Sequence, residues 1–107
     1  MPKVKHVVLM KVRPETPTAQ TDKIFRDLAG LVGQVPGLLD FSGGAYSTTE
    51  GLNQGFTHGF VMTFADEASR DGYLPHPLHE FVKSQIVAVL DGGLAGVIAF
   101  DWLMQGS

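Results

Sequence analysis

The 107-residue sequence contains no cysteine. A disulfide framework, a cysteine-based zinc finger and a thiol nucleophile are therefore excluded. The first five residues also lack the apolar core of a secretory signal. These absences favour a cytoplasmic setting.

Charge and long apolar runs are scarce as well. Charged residues make up 18% of the chain, the net charge is −3, and no basic run is present, so we expect no nucleic-acid partner. The longest apolar run, residues 86–90, is far shorter than the roughly 20 residues that a membrane-spanning helix needs. We therefore expect no membrane partner either.

Hydrophobic residues are plentiful, at 44% of a length that suits one compact domain over residues 1–107. Their spacing, with proline and glycine breaks, predicts the element order βαββαβ. Thr16 is the expected N-cap of the first helix, and Asp66 is the expected N-cap of the second. The predicted strands are residues 6–12, 38–46, 56–64 and 96–102, with a bulge or bend at Gly43-Gly44 in the second strand. The predicted first helix is residues 17–35 and is ended by Pro36-Gly37. Two further helical pieces, residues 66–73 and 76–90, are separated by Pro75 and Pro77.

This order is typical of a ferredoxin-like α+β fold, an antiparallel four-stranded sheet with two helices on one face. The first and third strands form the central pair, and we expect them to be parallel, with His6 and His58 at the same end of the sheet. The last strand runs antiparallel to the first, which brings Asp101 to that end. Both faces of the central strands carry apolar residues. Because helices cover only one face, we predict a homodimer through the other sheet face, which closes a dimeric α/β barrel.

Motifs spread over nearly the whole chain carry a family resemblance, and the most specific is Tyr73-x-x-His76-Pro77-x-His79. The other matching positions are residues 6–11, Pro36-Gly37, residues 55–58, Thr63-Phe64, Phe81 and Phe100-Asp101. The sequence resembles the stress-responsive A/B barrel (Dabb) family. The resemblance implies a dimeric α/β barrel with a pocket in each protomer between the sheet and the helices.

Most members of this family have no determined role, but a catalytic branch resembles plant polyketide cyclases of the olivetolic acid type, which use the tyrosine and final histidine of the motif. The resemblance thus implies Tyr73 and His79 as catalytic residues. Asp101 is the proposed third member. Its expected partner is His79 or His6, and the mechanism is written with Asp101 holding His79. His79 would remove a proton while Tyr73 stabilises the oxyanion in an aldol or Claisen-type ring closure. The start of a helix should keep His79 neutral.

The predicted pocket can take a small-molecule ligand. Its helix positions are less aromatic here than in the cyclase branch, which indicates a smaller and more aliphatic ligand. The expected substrate-binding residues are His6, Val8, Met10, Phe25, Leu28, His58, Phe60, Met62 and Ala99.

Several of these residues also have a purely structural interpretation. His76 can cap a helix between two prolines, and Tyr73 can simply bury its ring. Phe60 and Met62 can belong to the ordinary core. His76 and His79, three residues apart, are also compatible with a metal site. No dense ligand motif is present, however, and we predict neither metal nor cofactor.

Three hypotheses about function therefore stand side by side. The first is a stress-associated homodimer with a small-molecule pocket and no catalysis. The second is a cyclase-like lyase with Tyr-His acid/base chemistry. The third, an analogy from fold alone, is a cofactor-free or haem-type monooxygenase-like barrel.

Overall fold

The computed structural model describes residues 1–105 and thus all but the last two positions of the predicted domain. Its element order matches the predicted alternation of strands and helices, with the second helical region divided in two. The elements are β1 (Val4–Met10), α1 (Thr18–Ala29), β2 (Leu38–Ala45), β3 (His58–Phe64), α2 (Glu67–Tyr73), α3 (Pro77–Val89), a 3₁₀ helix (Gly93–Gly96) and β4 (Val97–Leu103).

The four strands form one sheet in the order β2-β3-β1-β4, and all three neighbouring pairs are antiparallel. The ferredoxin-like fold and the central position of β1 and β3 are confirmed, and the single chain leaves the sheet open rather than closed into a barrel. The expected parallel pairing of β1 and β3 is wrong. A crossover makes β1 and β2 parallel, and the reversal into β3 makes that strand antiparallel to both. His58 consequently pairs with Met10, while His6 pairs with Met62 at the other end.

The first helix is shorter than the sequence pattern predicts. Pro17 rather than Thr16 is the N-cap, and no side chain within residues 1–105 hydrogen-bonds there as a cap. The helix ends at Gly30, although Leu31 and Val35 continue the apolar spacing and are buried. The reason is local: Gly33 has φ of 89°, which an α-helix does not accommodate. Leu31 and Val35 therefore reach the core from turns rather than from the helix.

The break between α2 and α3 follows the predicted chemistry. Asp66 caps α2, its Oδ1 accepting from the Ser69 backbone N–H at 2.8 Å. His76 caps α3, its Nδ1 accepting from the Leu78 N–H at 3.1 Å, and Pro77 is the first helical residue. His76 therefore has the structural role that the proline-flanked position predicts.

Gly43 is required for close packing rather than for a bend. The only register irregularity of the β2–β3 pairing described for residues 1–105 lies between Leu38 and Asp40, so the predicted bulge at Gly43-Gly44 is misplaced. A Cβ on Gly43 would lie 2.5 Å from the Phe60 Cβ and 2.9 Å from the Phe25 ring. The backbone of β2 can approach its neighbours only because this position lacks a side chain.

The two faces of the sheet differ sharply in burial. The face toward the helices carries the core, including Val8, Met10, Met62 and Phe64. The opposite face of β4 presents Phe100, 64% exposed, and Trp102, 48% exposed, as large apolar side chains, and Leu9 of β1 and Ile98 of β4 are exposed beside them. Residues 1–105 thus leave an apolar surface of the sheet uncovered.

Candidate acid/base site between sheet and helices

A cavity of about 220 Å³ lies on the helix side of the sheet. Strands β1, β3 and β4 form its floor, α1 and α3 supply side chains above it, and the end of α2 adds the catalytic candidate Tyr73. Most of the lining is apolar, and Tyr73 shares it with two histidines and a lysine. The lining residues are His6, Val8, Leu28, Phe60, Tyr73, Leu74, His79, Val82, Lys83, Ile86 and Ala99.

Tyr73 is buried at the centre of this cluster, with 1% of its surface exposed. Its ring centroid lies 4.4 Å from that of His79 and 6.1 Å from that of His6. Burial raises the pKa of the Tyr73 phenol well above its usual value, because the phenolate would lose its hydration. The phenol therefore stays protonated near neutral pH and can act as a hydrogen-bond donor, not as a base.

His79 has the opposite character. Its Nδ1 lies 2.7 Å from the Leu74 carbonyl oxygen, which only accepts, so Nδ1 carries the proton and Nε2 keeps its lone pair. Burial lowers the pKa of His79, and the Leu74 carbonyl and Glu80 oppose this only in part. Burial, rather than the helix start alone, thus favours the neutral imidazole that the sequence predicts.

Of the two partners expected for Asp101, His79 is not the one that the structure shows. Asp101 contacts His6 instead, with 2.7 Å between Oδ1 and the His6 Nδ1. This follows from register, since His6 and Asp101 are paired directly across β1 and β4. The Leu74 carbonyl holds His79 in its place, because that carbonyl lies where α2 ends and lacks a helical partner.

Arg70 is a residue of this cluster that the sequence analysis missed. Its Nη1 donates to the second oxygen of Asp101 at 2.8 Å, and its Nε donates to Asp71 at 2.8 Å. Arg70 lies three residues before Tyr73 on α2, so the same helix face carries both. The spacing of Arg70 and Tyr73 in the sequence could have indicated that Arg70 lies near the site. Asp101 is identifiable as the carboxylate there only from the antiparallel pairing of β4 with β1.

His58 does not join this cluster. It lies at the far end of the sheet, its Nδ1 2.8 Å from the Thr57 hydroxyl and its ring stacked on Phe25 at 6.0 Å. Two other cavities, of about 450 and 550 Å³, open around it. Burial lowers the pKa of His58. The convergence of His6, His58 and Asp101 predicted at one end is therefore wrong.

The other predicted binding residues divide between three places. Val8, Leu28, Phe60 and Ala99 line the site cavity together with His6. Met10 and Met62 are buried in the core and are absent from that lining. Phe25 lines the cavity beside His58.

Within residues 1–105, no three His, Asp or Glu side chains are grouped as metal ligands. None of the helices in this part of the chain combines the length and the hydropathy needed to cross a bilayer.

The architecture defines a ferredoxin-like α+β domain with a tyrosine-histidine pair in a cavity between sheet and helices. The family model described as "Stress responsive A/B Barrel Domain" matches residues 4–104. The chain therefore belongs to the stress-responsive A/B barrel family, as its motifs indicated.

Relatives of this chain differ in their described roles. It is 34% identical to a stress-response A/B barrel domain-containing protein of Arabidopsis thaliana over 81% of this chain and 77% of that protein. It is 30% identical to olivetolic acid cyclase of Cannabis sativa over 71% of this chain and 75% of the cyclase. Among solved structures, a dimeric ferredoxin-like protein of unknown function from Jannaschia sp. superposes with a TM-score of 0.85 at 28% identity, over 94% of this chain and 97% of that one. The family and fold are thus fixed, and the role is undetermined.

Proposed function

We propose that this protein is an acid/base enzyme of the cyclase or lyase type, acting on a small carbonyl compound. The observation that carries the proposal is the Tyr73–His79 pair: a protonated phenol in ring contact with an imidazole whose Nδ1 is tied to the backbone and whose Nε2 is free to accept a proton. The similarity to olivetolic acid cyclase supports the same assignment.

The chemistry is an aldol-type ring closure in which every proton is accounted for. The Nε2 of His79 takes a proton from the carbon next to a carbonyl, and the Tyr73 hydroxyl donates a hydrogen bond to the oxygen that becomes negative. The resulting enolate carbon attacks a second carbonyl of the same molecule and forms a carbon–carbon bond. The imidazolium then returns its proton to the new alkoxide.

The size of the cavity restricts the substrate. Its volume of about 220 Å³ is below the roughly 300–1,000 Å³ of common small-molecule sites. The apolar lining, with Val8, Leu28 and Ile86, suits an aliphatic chain. We therefore propose a short aliphatic poly-β-keto compound rather than a long or aromatic one.

The test is turnover of a linear tetraketide thioester, which can close a six-membered ring by the aldol step, followed by mass spectrometry of the cyclised product. Tyr73→Phe removes the donor and should lower kcat by about 10²- to 10³-fold, as loss of an oxyanion donor does. Tyr46→Phe is the matched control, because Tyr46 is 56% exposed and outside the cavity. Equal turnover by wild type and Tyr73→Phe would contradict the assignment.

A second candidate is ligand binding without catalysis, and the small cavity favours it. In that case a short β-diketone would shift the amide NMR signals of the residues lining the cavity. Wild type and Tyr73→Phe would both fail to release a cyclised product. The same samples therefore separate the two functions.

We also propose that the functional unit is a homodimer formed through the sheet face opposite the helices. The exposed Phe100 and Trp102, together with Leu9 and Ile98, form an apolar surface of the kind that interfaces bury. The similar protein from Jannaschia sp. is described as dimeric.

A charge on that face tests the dimer. Phe100→Glu should convert the protein to a monomer in light scattering, because a carboxylate cannot be buried there without a partner. Leu94→Glu is the control, since Leu94 is 71% exposed and lies in the 3₁₀ helix, off the sheet. A Phe100→Glu protein that keeps the mass of wild type would exclude this interface.

A further inference from the structure

Arg70 contacts the proposed catalytic cluster through one carboxylate. Asp101 accepts from His6 Nδ1 with one oxygen and from Arg70 Nη1 with the other, at 2.7 and 2.8 Å. We propose that Arg70 is a positioning residue that, through Asp101, keeps the His6 imidazole neutral with Nε2 available as an acceptor in the cavity. This inference rests on the proposed function and adds a third polar group to that site.

The proton positions follow from the donors and acceptors. A carboxylate oxygen only accepts, so the bond at 2.7 Å places a proton on His6 Nδ1. When the ring is neutral, His6 Nε2 then has a free lone pair. His6 is buried and lines the cavity beside Tyr73. Both histidines of the site therefore have the same tautomer, with Nδ1 bound to an acceptor.

Arg70 matters because a carboxylate beside an imidazole normally favours the doubly protonated ring. The guanidinium shares the charge of Asp101 and weakens that preference. The other charged or titratable groups that face His6 are Tyr73 on α2 and His79 and Lys83 on α3, which line the same cavity. The side chains of β3 that contact the His6 ring are Phe60 and Phe64, which are uncharged.

The consequence is a specificity for substrates with a hydroxyl or enol beside the reacting carbonyl. Tyr73 lies between two imidazoles, with ring centroids at 4.4 Å from His79 and 6.1 Å from His6. Tyr73 can donate to a carbonyl oxygen, while His6 Nε2 can accept from an adjacent enol O–H. The enol form of a β-dicarbonyl presents both groups close together, on two carbons that are separated by a single carbon.

Arg70 could also serve only to attach the short helix α2 to β4. The two roles differ in one measurable property, the protonation state of His6. We therefore suggest imidazole ¹⁵N NMR of the full-length protein at pH 7, for wild type, Arg70→Gln and Asp71→Asn. Asp71→Asn is the matched control, because it removes the other close partner of Arg70 and leaves Asp101 in place.

In wild type and Asp71→Asn, His6 should be neutral and protonated at Nδ1. In Arg70→Gln, His6 should become predominantly protonated on both nitrogens. A folded Arg70→Gln protein with the wild-type His6 spectrum would overturn the inference. If Arg70→Gln does not fold, Arg70→Lys decides instead: it keeps the positive charge, and a doubly protonated His6 in that variant would contradict charge compensation.

The spectrum needs no substrate, so it decides the role of Arg70 even if no carbonyl compound is turned over. Absence of turnover in wild type would reject the proposed function and leave the Arg70 result standing. Where turnover is found, Arg70→Gln should lower kcat/KM more for a β-dicarbonyl substrate than for a 1,6-diketone, which can close by the same aldol step but has no β-dicarbonyl enol. Equal loss for both would reject the specificity.

Discussion

His6 and His58 lie at opposite ends of one antiparallel strand pair and have opposite surroundings. His6 hydrogen-bonds a carboxylate and lies beside Tyr73. His58 hydrogen-bonds the Thr57 hydroxyl and stacks on Phe25. One end of the sheet therefore gathers groups that can exchange protons, and the other end gathers a histidine with an aromatic ring.

Cavity size favours the other end of the sheet, the end that carries His58. The cavities near His58 measure about 450 and 550 Å³, against about 220 Å³ beside His6. Volume alone would favour the His58 end, whereas the proposed acid/base pair lies at the other end, and a large opening needs no catalytic groups. Convergence of a donor and an acceptor is the better guide.

The largest expected effect is a difference in kcat between variants at the His6 end of the sheet and variants at the His58 end. His79→Gln should lower kcat for ring closure by about 10²- to 10⁴-fold, since a general base contributes about that much. His58→Gln should change kcat less than about twofold, because His58 lies outside the site cavity. The measurement is turnover of the same tetraketide thioester. Similar losses in both variants would mean that the site extends along the whole sheet.

Stability should respond more strongly at the His58 end. Gly43→Ala places a Cβ 2.5 Å from the Phe60 Cβ and 2.8 Å from the Gly59 carbonyl oxygen. Overpacking of this kind costs about 1–3 kcal/mol of unfolding free energy. Urea denaturation measures it, and Gly44→Ala is the control, because a Cβ there has no atom within 4 Å. Equal losses in both variants would show that strand propensity, not packing, sets the cost.

At the His6 end of the sheet, a larger side chain should leave the stability nearly unchanged but weaken ligand binding. Ala99 is exposed and lines the cavity, so Ala99→Leu should fill the cavity while changing stability by less than about 0.5 kcal/mol. We expect KM for the tetraketide to rise roughly tenfold, a loss of about 1.4 kcal/mol of binding. Ala95→Leu, also exposed and outside this cavity, is the control. An unchanged KM in Ala99→Leu would place the ligand elsewhere.

The sequence was sufficient for the order of the elements and for the break between α2 and α3. Strand periodicity gave the order of elements, and His76 and Asp66 were recognisable as caps because capping depends on residues two or three positions away. The His6–Asp101 pair was also predictable, since β1 and β4 were expected to be antiparallel. Local rules thus accounted for most of the architecture.

The partners of His79 and Asp101 depended on geometry that the sequence does not display. The Leu74 carbonyl is available only because α2 ends there, and Arg70 reaches Asp101 only across the gap between α2 and β4. The wrong pairing direction for β3 moved His58 to the wrong end. A single error in strand direction displaces every site residue on that strand.

Acid sensitivity should be present at both ends. Burial lowers the pKa of His58 and of His79 below the ordinary value of 6.5, so the unfolded chain takes up protons more readily. The stability that these neutral rings contribute is complete above about pH 6.5 and is lost as the pH falls toward the folded-state pKa. His58→Gln and His79→Gln should each flatten the decline of Tm between pH 7 and 5. A decline as steep as that of wild type would assign the acid sensitivity to other groups.

The smallest expected effect concerns Glu80, whose charge acts on the pKa of His79 but not on that of His58. Glu80 raises the pKa of His79 and thus opposes burial, whereas burial is the only resolved influence on His58. Glu80→Gln should therefore lower the pKa of His79 and leave His58 unchanged, as followed by NMR titration of the two rings. The shift should be small, because Glu80 is exposed and its carboxylate lies 3.9 Å from His79 Nδ1. An equal shift of both rings would indicate a change in the whole fold, since the two histidines lie at opposite ends of the sheet.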